Sequence, residues 1–365
     1  MMKIKLLLFA ISLLVVSSME AQEKKKGRLA DKVFGKNLRF IGNPIVQNSP
    51  ETGLKMGVAG NYLFKTGSDS LTRSSNAYLQ IAYTTKSQFI FEPIWNVFSP
   101  GEKYIFRGRA GYLNFTDQFW GIGPDAEQVN SIDLSYQRFY LQSKVLRKVY
   151  RNWFAGGALR YSKLYALKWS GESPNVEGNS GSTVAGLGPN LQADFRDNPF
   201  SPQRGWYFDV YYAAFGKFAG GTHRFDEFQA DVRYYLSFKQ PYQVLAFQLF
   251  GLFTQGNIPF RELPRLGSSF MMRGYFEGRF RDRNYLAGQV ELRQPIYKWL
   301  HASAFLALAE VTPSIDEFSL MRVKSTAGLG LRVLLNKKET VFARFDVAVN
   351  NEGGLGVYIR INDAF

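Results

Sequence analysis

The chain has 365 residues and a mean hydropathy of −0.20, which is too polar for a protein built from membrane-spanning helices. Aromatic residues nevertheless make up 16% of the chain, and the lack of cysteine excludes both disulfides and a lipoprotein anchor. A formal net charge of +15 on an exported chain predicts contacts with lipid headgroups and outer-leaflet glycolipid, and not with nucleic acid.

The first recognisable segment is a secretory signal peptide over residues 1–21. A short basic head precedes the apolar run Leu6–Val16, and small residues lead to a cleavage site after Ala21. The apolar run is shorter than the roughly 20 residues that a membrane-spanning helix needs. We therefore predict export, with residues 22–37 as a short periplasmic linker and residues 38–365 as one membrane domain.

Beyond the linker the main pattern is an alternation with period two. In residues 225–238, Phe228 and Val232 lie on an apolar face, and Asp231 and Arg233 lie on a charged face. A soluble β-sandwich also alternates, but its polar face would not need so many Tyr, Phe and Trp side chains. The strand candidates are also longer than the roughly five or six residues of soluble sheets. The pattern favours an all-β transmembrane antiparallel barrel.

About sixteen strands can be counted, in the even-numbered series typical of bacterial barrels. Their predicted spans are 39–47, 53–65, 74–86, 87–98, 102–114, 132–149, 153–168, 181–197, 205–218, 225–238, 243–255, 284–296, 300–311, 321–335, 339–350 and 354–365. Short connections alternate with long ones at 115–131, 169–180 and 256–283. This alternation predicts periplasmic termini and long external loops.

The final strand has the features of an assembly signal. Ile359 and Ile361 lie on its apolar face, Tyr358 lies on the other face, and the chain ends at Phe365. A terminal aromatic on an amphipathic last strand resembles the signal by which outer-membrane barrels are recognised for assembly. Asp363 interrupts the apolar face, so we expect it in the headgroup zone.

The longest external loop, residues 256–283, contains the most specific sequence. Arg273 is followed by Gly274, which allows a tight turn that aims the guanidinium inward. Glu291 on the next strand shares a face with Gln289, so it would point into the lumen and accept the arginine through both oxygens. This charge pair would hold the loop inside the barrel.

These residues resemble the Omp85 superfamily, the BamA- and TamA-like barrels also called bacterial surface antigen D15. In that family the sixth external loop folds into the lumen through an Arg-Gly-Phe/Tyr motif, to which Arg273, Gly274 and Tyr275 correspond. Glu291 falls at the place of the acidic residue that accepts the arginine. The resemblance implies a barrel with a long inward-folding sixth external loop.

Further stretches similar to the family cover nearly all of the chain after the linker. Arg39–Leu63 resembles its first hairpin, Asp194–Gly205 the turn after its eighth strand, and Gly328–Phe365 its end.

The sequence also departs from the family. The family often places a second acceptor, an Asp, on the strand after the one that carries Glu291. This chain has Ala307 at that place, and Glu310 nearby would lie on the opposite face of the strand. The contact of Arg273 is therefore expected to be weaker or to rely on Glu291 alone. Residues 22–37 are too few for the periplasmic POTRA domains of the family, so we expect a member without them.

The resemblance implies a role in inserting or exporting outer-membrane proteins, through a first and last strand that pair weakly. Gly42 and Pro44 on the first strand are poor ladder formers, which suits either a weak seam or a plain bulge. The partners would be unfolded outer-membrane protein clients and a separate periplasmic protein. The alternative is a passive pore or a structural barrel with a loop-plugged lumen.

Lipid contacts and enzyme chemistry complete the predictions. Arg279, Arg281 and Arg283 in the long loop are candidates for lipid-headgroup contacts. His223 and His301, the only histidines, fall at opposite ends of the predicted barrel. A metal or nucleophilic site therefore has little support, and we expect no cofactor and no enzyme activity. The inward carboxylates are expected to balance inward arginines.

Overall fold

The computed structural model describes residues 39–67, 72–126, 131–199, 201–238, 240–336, 340–361 and 363–365. The predicted signal peptide (1–21) and linker (22–37) lie outside these described residues. Among them, no helix has the length and apolar character needed to cross a membrane.

Sixteen strands form one antiparallel sheet in which each strand pairs with its neighbours along the chain. Their bounds are β1 (Arg39–Ser49), β2 (Gly53–Phe64), β3 (Ser75–Thr84), β4 (Phe89–Phe98), β5 (Tyr104–Phe119), β6 (Ile132–Tyr150), β7 (Trp153–Trp169), β8 (Ser182–Asp194), β9 (Gly205–Phe215), β10 (Phe225–Ser237), β11 (Val244–Gly256), β12 (Asn284–Pro295), β13 (Leu300–Thr312), β14 (Lys324–Asn336), β15 (Val341–Asn350) and β16 (Leu355–Ile361). Short 3-10 turns lie at Pro100–Glu102, Lys217–Ala219, Ile315–Glu317 and Leu320–Arg322.

The predicted fold class, an all-β antiparallel sheet of about sixteen strands, is confirmed. Most predicted spans end within three residues of the observed strands, and the two largest differences lie at the ends of β5 and β16. Strand β5 continues to Phe119, whose ring packs 5.4 Å from that of Phe260 in the long connection after β11. Strand β16 ends at Ile361, because Asp363 turns inward to an ion pair with Arg293 at 3.0 Å.

The two faces of the sheet have opposite character. Apolar side chains on the outer face are exposed, such as Val58 (63%), Leu249 (55%) and Leu329 (69%). Charged side chains on the inner face are buried, such as Glu227 and Glu291. This is the reverse of a soluble sandwich, and it requires an apolar medium around the sheet.

The sheet curls so that β1 and β16 lie side by side. Among the described side chains, two hydrogen bonds connect them. The Nδ2 atom of Asn48 donates to the carbonyl oxygen of Val357 at 3.2 Å, and Arg360 donates to Oε1 of Gln47 at 3.1 Å. Over the described residues, the backbone ladder runs from β1 to β16 without joining these two edges. We call this junction the seam.

Polar side chains cross the interior between strands that are not neighbours. Lys144 on β6 lies 2.6 Å from Asp209 on β9, and Arg160 on β7 pairs with Glu227 on β10. Each pair joins two strands of the curved wall that are separated by two other strands. The paired side chains therefore extend through the interior rather than along the wall. The lumen on this side is therefore filled with protein.

Candidate functional site

The connection between β11 and β12, residues 257–283, folds into the interior, and we call it the inner loop. A two-stranded ribbon within it pairs Arg265–Leu266 with Phe280–Arg281. Met272 and Tyr275 belong to a buried apolar cluster with residues of β12 and β13. This apolar packing keeps the inner loop inside the wall rather than in solvent.

Arg273 at the tip of the inner loop binds two carboxylates of the wall. Its Nη2 atom lies 2.8 Å from Oε2 of Glu291 on β12, and its Nη1 atom lies 2.7 Å from Oδ2 of Asp346 on β15. The guanidinium also stacks on Phe305, 3.4 Å from the ring centroid. All three charged side chains are buried. We call Arg273, Glu291 and Asp346 the loop lock.

Asp346 is the acceptor that sequence reasoning missed. The expectation that Arg273 relies on Glu291 alone was wrong, because Asp346 supplies a second carboxylate from β15. Ala307 does not replace it. The signal lay in the alternation of β15, which already put Asp346 on the charged face. Its proximity to Arg273 depends on how distant strands meet in space.

The two residues after Arg273 attach the inner loop to the end of the sheet. Gly274 has a φ of +110°, which favours glycine, and its amide donates to the hydroxyl of Tyr358 on β16 at 2.9 Å. Its carbonyl oxygen accepts from Nδ2 of Asn350 at 2.9 Å. The hydroxyl of Tyr275 donates to Oδ1 of Asn351 at 2.6 Å. The Arg-Gly-Tyr motif thus contacts β15, β16 and the turn between them.

Further buried charges surround the loop lock. Glu291 also accepts hydrogen bonds from Arg293 at 3.0 Å and from Arg332. Both of these arginines also pair with Asp363. Arg344 lies 3.3 Å from Asp346 and donates to the carbonyl oxygen of Ser269 in the inner loop at 2.9 Å. Four arginines therefore face three carboxylates, and main-chain carbonyls accept some of the remaining donors.

The first half of the inner loop is anchored on the opposite wall. Glu262 accepts from Arg138 on β6 at 3.0 Å and from Arg160 on β7 at 2.9 Å. Burial alone would raise the pKa of Glu262, but these two arginines hold it below its ordinary value. Arg261 pairs with Asp117 on β5. The inner loop therefore crosses the lumen between two walls, an attachment that the sequence analysis did not predict.

The inner loop also reaches the other side of the seam. The amide of Glu277 donates to Oε1 of Glu51, in the turn between β1 and β2, at 2.8 Å. Burial, aided by the charge of Glu277 and opposed by a hydrogen bond to Ser49, raises the pKa of Glu51. Since Gly274 binds β16, the inner loop bridges the two strands that form the seam.

The structure corrects the prediction of lipid-headgroup contacts. Arg279 and Arg281 are 6% and 1% exposed, so that prediction was wrong for both. Arg279 stacks on Phe280 at 4.3 Å, and Arg281 lies 5.0 Å from the ring centroid of Phe119. Arg283 is exposed and donates to a main-chain carbonyl, so its lipid contact stays a prediction.

The residues of the predicted assembly signal divide between two environments. Ile359 lies on the outer face, whereas Tyr358 is fully buried against the inner loop. Phe365 does not lie on the last strand. It packs inside against Tyr235 of β10, with ring centroids 6.4 Å apart. Asp363 was expected in the headgroup zone, which was wrong, because its carboxylate is buried between arginines.

No catalytic grouping stands out in the part of the chain that the structure describes. His223 contacts Glu177 between external connections, whereas His301 packs between Tyr242 and Phe342. Within the described ranges, no cluster of three His, Cys, Asp or Glu side chains could hold a metal ion. The inward carboxylates instead pair with arginines or lysines.

Comparisons with known proteins give a matching family model and several similar folds. Residues 53–363 match the family model of the Omp85 superfamily domain. The fold is similar to that of BamA from Haemophilus ducreyi lacking POTRA domains 1-3, with a TM-score of 0.62 and 12% identity over 89% of this chain and 70% of that chain.

It is also similar to CdiB from Acinetobacter baumannii, with a TM-score of 0.59 and 12% identity over 88% of this chain and 59% of that chain. For CdiB from Escherichia coli, the TM-score is 0.59 and the identity 10%, over 89% of this chain and 62% of that chain. The chain thus spans less than two thirds of the length of either CdiB. No curated protein matches the sequence significantly.

Proposed function

Because this chain belongs to the Omp85 superfamily, we propose that it is an outer-membrane β-barrel, exported through the signal peptide 1–21, that assists the insertion or export of other outer-membrane proteins. It would act without enzymatic activity on unfolded outer-membrane proteins delivered by a separate periplasmic partner. The observation that carries this proposal is the seam, where side chains connect β1 and β16 and the described residues form no backbone ladder.

An edge of a sheet with unpaired backbone groups is a template for another strand. In a membrane, such groups must find partners within protein, because lipid offers no hydrogen bonds. An incoming client strand would therefore add to β1 or β16 by strand addition. Gly42 and Pro44 on β1 support this reading, because both residues weaken strand pairing.

The inner loop is the element suited to control the seam. It holds β16 through Gly274 and Tyr358, and it holds the turn after β1 through Glu277 and Glu51. Any separation of β1 from β16 would pull on at least one of these contacts. Release of the inner loop would therefore accompany opening of the seam.

The alternative function is a passive barrel. Ion pairs across the lumen, such as Lys144 with Asp209, favour a closed structural barrel over a diffusion pore. A structural barrel would need neither an opening seam nor a releasable loop, so experiments on these two elements separate the two functions.

The first test is depletion of the protein followed by measurement of the outer-membrane proteome. The depleted cells are complemented with the wild type, with Arg273→Ala, or with the matched surface variant Arg283→Ala. We expect the loss of a set of other barrels, restored by the wild type and by Arg283→Ala but poorly by Arg273→Ala. An unchanged proteome would reject the assembly role and favour the passive barrel.

The second test locks the seam. The chain has no cysteine, so Asn48→Cys with Val357→Cys creates a unique pair that a short bismaleimide can link across the seam. The control links Val58→Cys with Ile81→Cys, which already face each other in the β2–β3 ladder. We expect only the seam link to abolish rescue of the depleted cells. Full rescue by the linked seam pair would exclude lateral opening.

A further inference from the structure

A cleft of about 310 Å³ opens beside the inner loop, at the end of the barrel where this loop enters. The turn between β15 and β16 and the end of β5 form its other sides. The side chains that determine its chemistry are Gln118, Trp120, Phe276, Arg279 and Glu352. Its volume is in the range of small-molecule sites, which begin at about 300 Å³.

Aromatic rings form one side of the cleft. Trp120 and Phe276 meet edge to face with ring centroids 5.0 Å apart, so each fixes the other. Tyr275 also lines the cleft, and its hydroxyl is held by Asn351 at 2.6 Å. Trp120 and Tyr275 are 9% and 1% exposed, so Phe276 supplies most of the accessible apolar surface on this side, held in place by the other two rings.

Polar groups with unused hydrogen-bonding capacity form the other side. The Nη2 atom of Arg279 lies 3.6 Å from Oε2 of Glu352, which is longer than a hydrogen bond. Among the described residues, the side-chain amide of Gln118 has no hydrogen-bond partner, and neither has the indole N–H of Trp120. The cleft thus presents both donors and acceptors to a ligand.

We propose that this cleft binds a small saccharide. The C–H face of a sugar ring packs on aromatic rings, and its hydroxyls both donate and accept hydrogen bonds. A hydroxyl could accept from Arg279 and donate to Glu352 across their gap. An apolar ligand would leave the side-chain amide of Gln118 and the indole N–H of Trp120 desolvated without partners. A simple anion would pair with Arg279 but would make no use of the aromatic side of the cleft.

In the orientation proposed above, this end of the barrel faces the cell exterior. The saccharide would then come either from the glycan of an outer-leaflet glycolipid or from a free sugar. Both sources share the chemistry of hydroxylated rings. Sugar binding here does not depend on whether the seam opens.

The test is calorimetric titration of the full chain in a detergent without a sugar headgroup. The probes are maltose, the disaccharide of N-acetylglucosamine, purified lipopolysaccharide, and sodium sulfate as a simple anion. The variants are Gln118→Ala and Trp120→Leu, and the matched control is Gln255→Ala, an exposed glutamine outside the cleft. Folding of each variant is checked by its heat-dependent mobility on a gel.

We expect at least one saccharide to bind, with affinity about tenfold lower in Gln118→Ala, as for a lost hydrogen-bonding group, and unchanged in Gln255→Ala. Binding of lipopolysaccharide alone assigns the ligand to the glycolipid, whereas binding of a disaccharide assigns it to free sugar. The proposal is overturned if no saccharide binds, or if Gln118→Ala binds as well as the wild type. Sulfate that competes equally would also overturn it.

Discussion

Arg273 is the residue on which the candidate site depends. A buried guanidinium is destabilising unless carboxylates and other acceptors surround it. Here Glu291 and Asp346 each take one of its terminal nitrogens, and Phe305 covers its face. Removal of any member breaks a charge-assisted bond between buried groups, so the loop lock is sensitive to single substitutions.

Arg273→Ala should destabilise the protein strongly. Glu291 and Asp346 would lose a shared partner, and breaking a buried ion pair typically lowers the free energy of unfolding by about 3–5 kcal/mol. Urea unfolding in phospholipid vesicles would measure the change. Arg283→Ala, at an exposed position, should stay within about 0.5 kcal/mol of the wild type. Equal effects of the two variants would contradict a stabilising loop lock.

Asp346→Asn tests whether the second carboxylate matters. Arg273 would keep Glu291 but lose a charge-assisted bond of 2.7 Å, so the inner loop should open more often. We expect trypsin to cleave within the inner loop at least about tenfold faster, equivalent to about 1.4 kcal/mol of easier opening. Asp316→Asn, at an exposed loop position, should cleave like the wild type. Unchanged cleavage of Asp346→Asn would leave Glu291 as the sole anchor.

Glu51 predicts a dependence of stability on pH. Burial raises the pKa of Glu51, so its protonated form is favoured in the folded protein. The stabilisation of the folded protein by protonated Glu51 is fully present below the pKa of about 4.5 that Glu51 has in the unfolded chain. This stabilisation is lost as the pH rises through the higher pKa of Glu51 in the folded protein. Above pH 4.5, wild-type stability should therefore fall relative to Glu51→Gln. Urea unfolding of both proteins at a series of pH values would measure this, and a constant difference would contradict it.

At the scale of elements, the end of the chain and the inner loop fill the same interior. The tail after β16 turns inward, where Phe365 packs against β10 and β11 and Asp363 joins the arginines around Glu291. The last strand, the tail and the inner loop therefore share one network of buried contacts. A substitution in the tail should therefore also alter the contacts of the inner loop.

Phe365→Ala should lower the stability of the folded protein, separately from any effect that it has on assembly in cells. Removal of a buried aromatic typically reduces the free energy of unfolding by about 3–5 kcal/mol. Urea unfolding of protein refolded in detergent would measure this apart from cellular assembly. Phe218→Ala, with a 66% exposed side chain, is the matched control. Normal stability together with poor assembly in cells would assign Phe365 to the assembly signal alone.

At the scale of the whole molecule, the sheet encloses a lumen filled by its own side chains. The inner loop is tied to β6 and β7 through Glu262 and to β12 and β15 through Arg273. Lys144 and Asp209 join β6 to β9 inside the lumen without the inner loop. Two independent sets of contacts therefore obstruct the lumen.

The intact protein should not conduct ions steadily in a planar bilayer. Deletion of residues 259–282 should permit only small currents, because the ion pairs of β6 with β9 and of β7 with β10 remain. Adding Lys144→Ala to the deletion should raise the current further. Large steady currents through the wild type would instead support the passive pore.

The sequence by itself determined the strands and their order. Alternation of side chains is a local property, so Phe228, Asp231 and Arg233 could be assigned to faces without knowledge of the fold. Antiparallel neighbours joined by short turns then followed from the spacing. The inward direction of Glu291 and the Arg-Gly-Tyr motif were recognised for the same reason, because each depends on a few consecutive residues.

Only the tertiary structure decided which of these residues meet. Asp346 lies 73 positions from Arg273 along the chain, and alternation gives its face but not its partner. Arg281 and Asp363 were predicted to lie at the lipid headgroups, because nothing in their sequence neighbourhood indicates that the loop and the tail fold into the lumen. Parity along a strand is fixed by covalent geometry, whereas contacts across the interior depend on how all sixteen strands curl together.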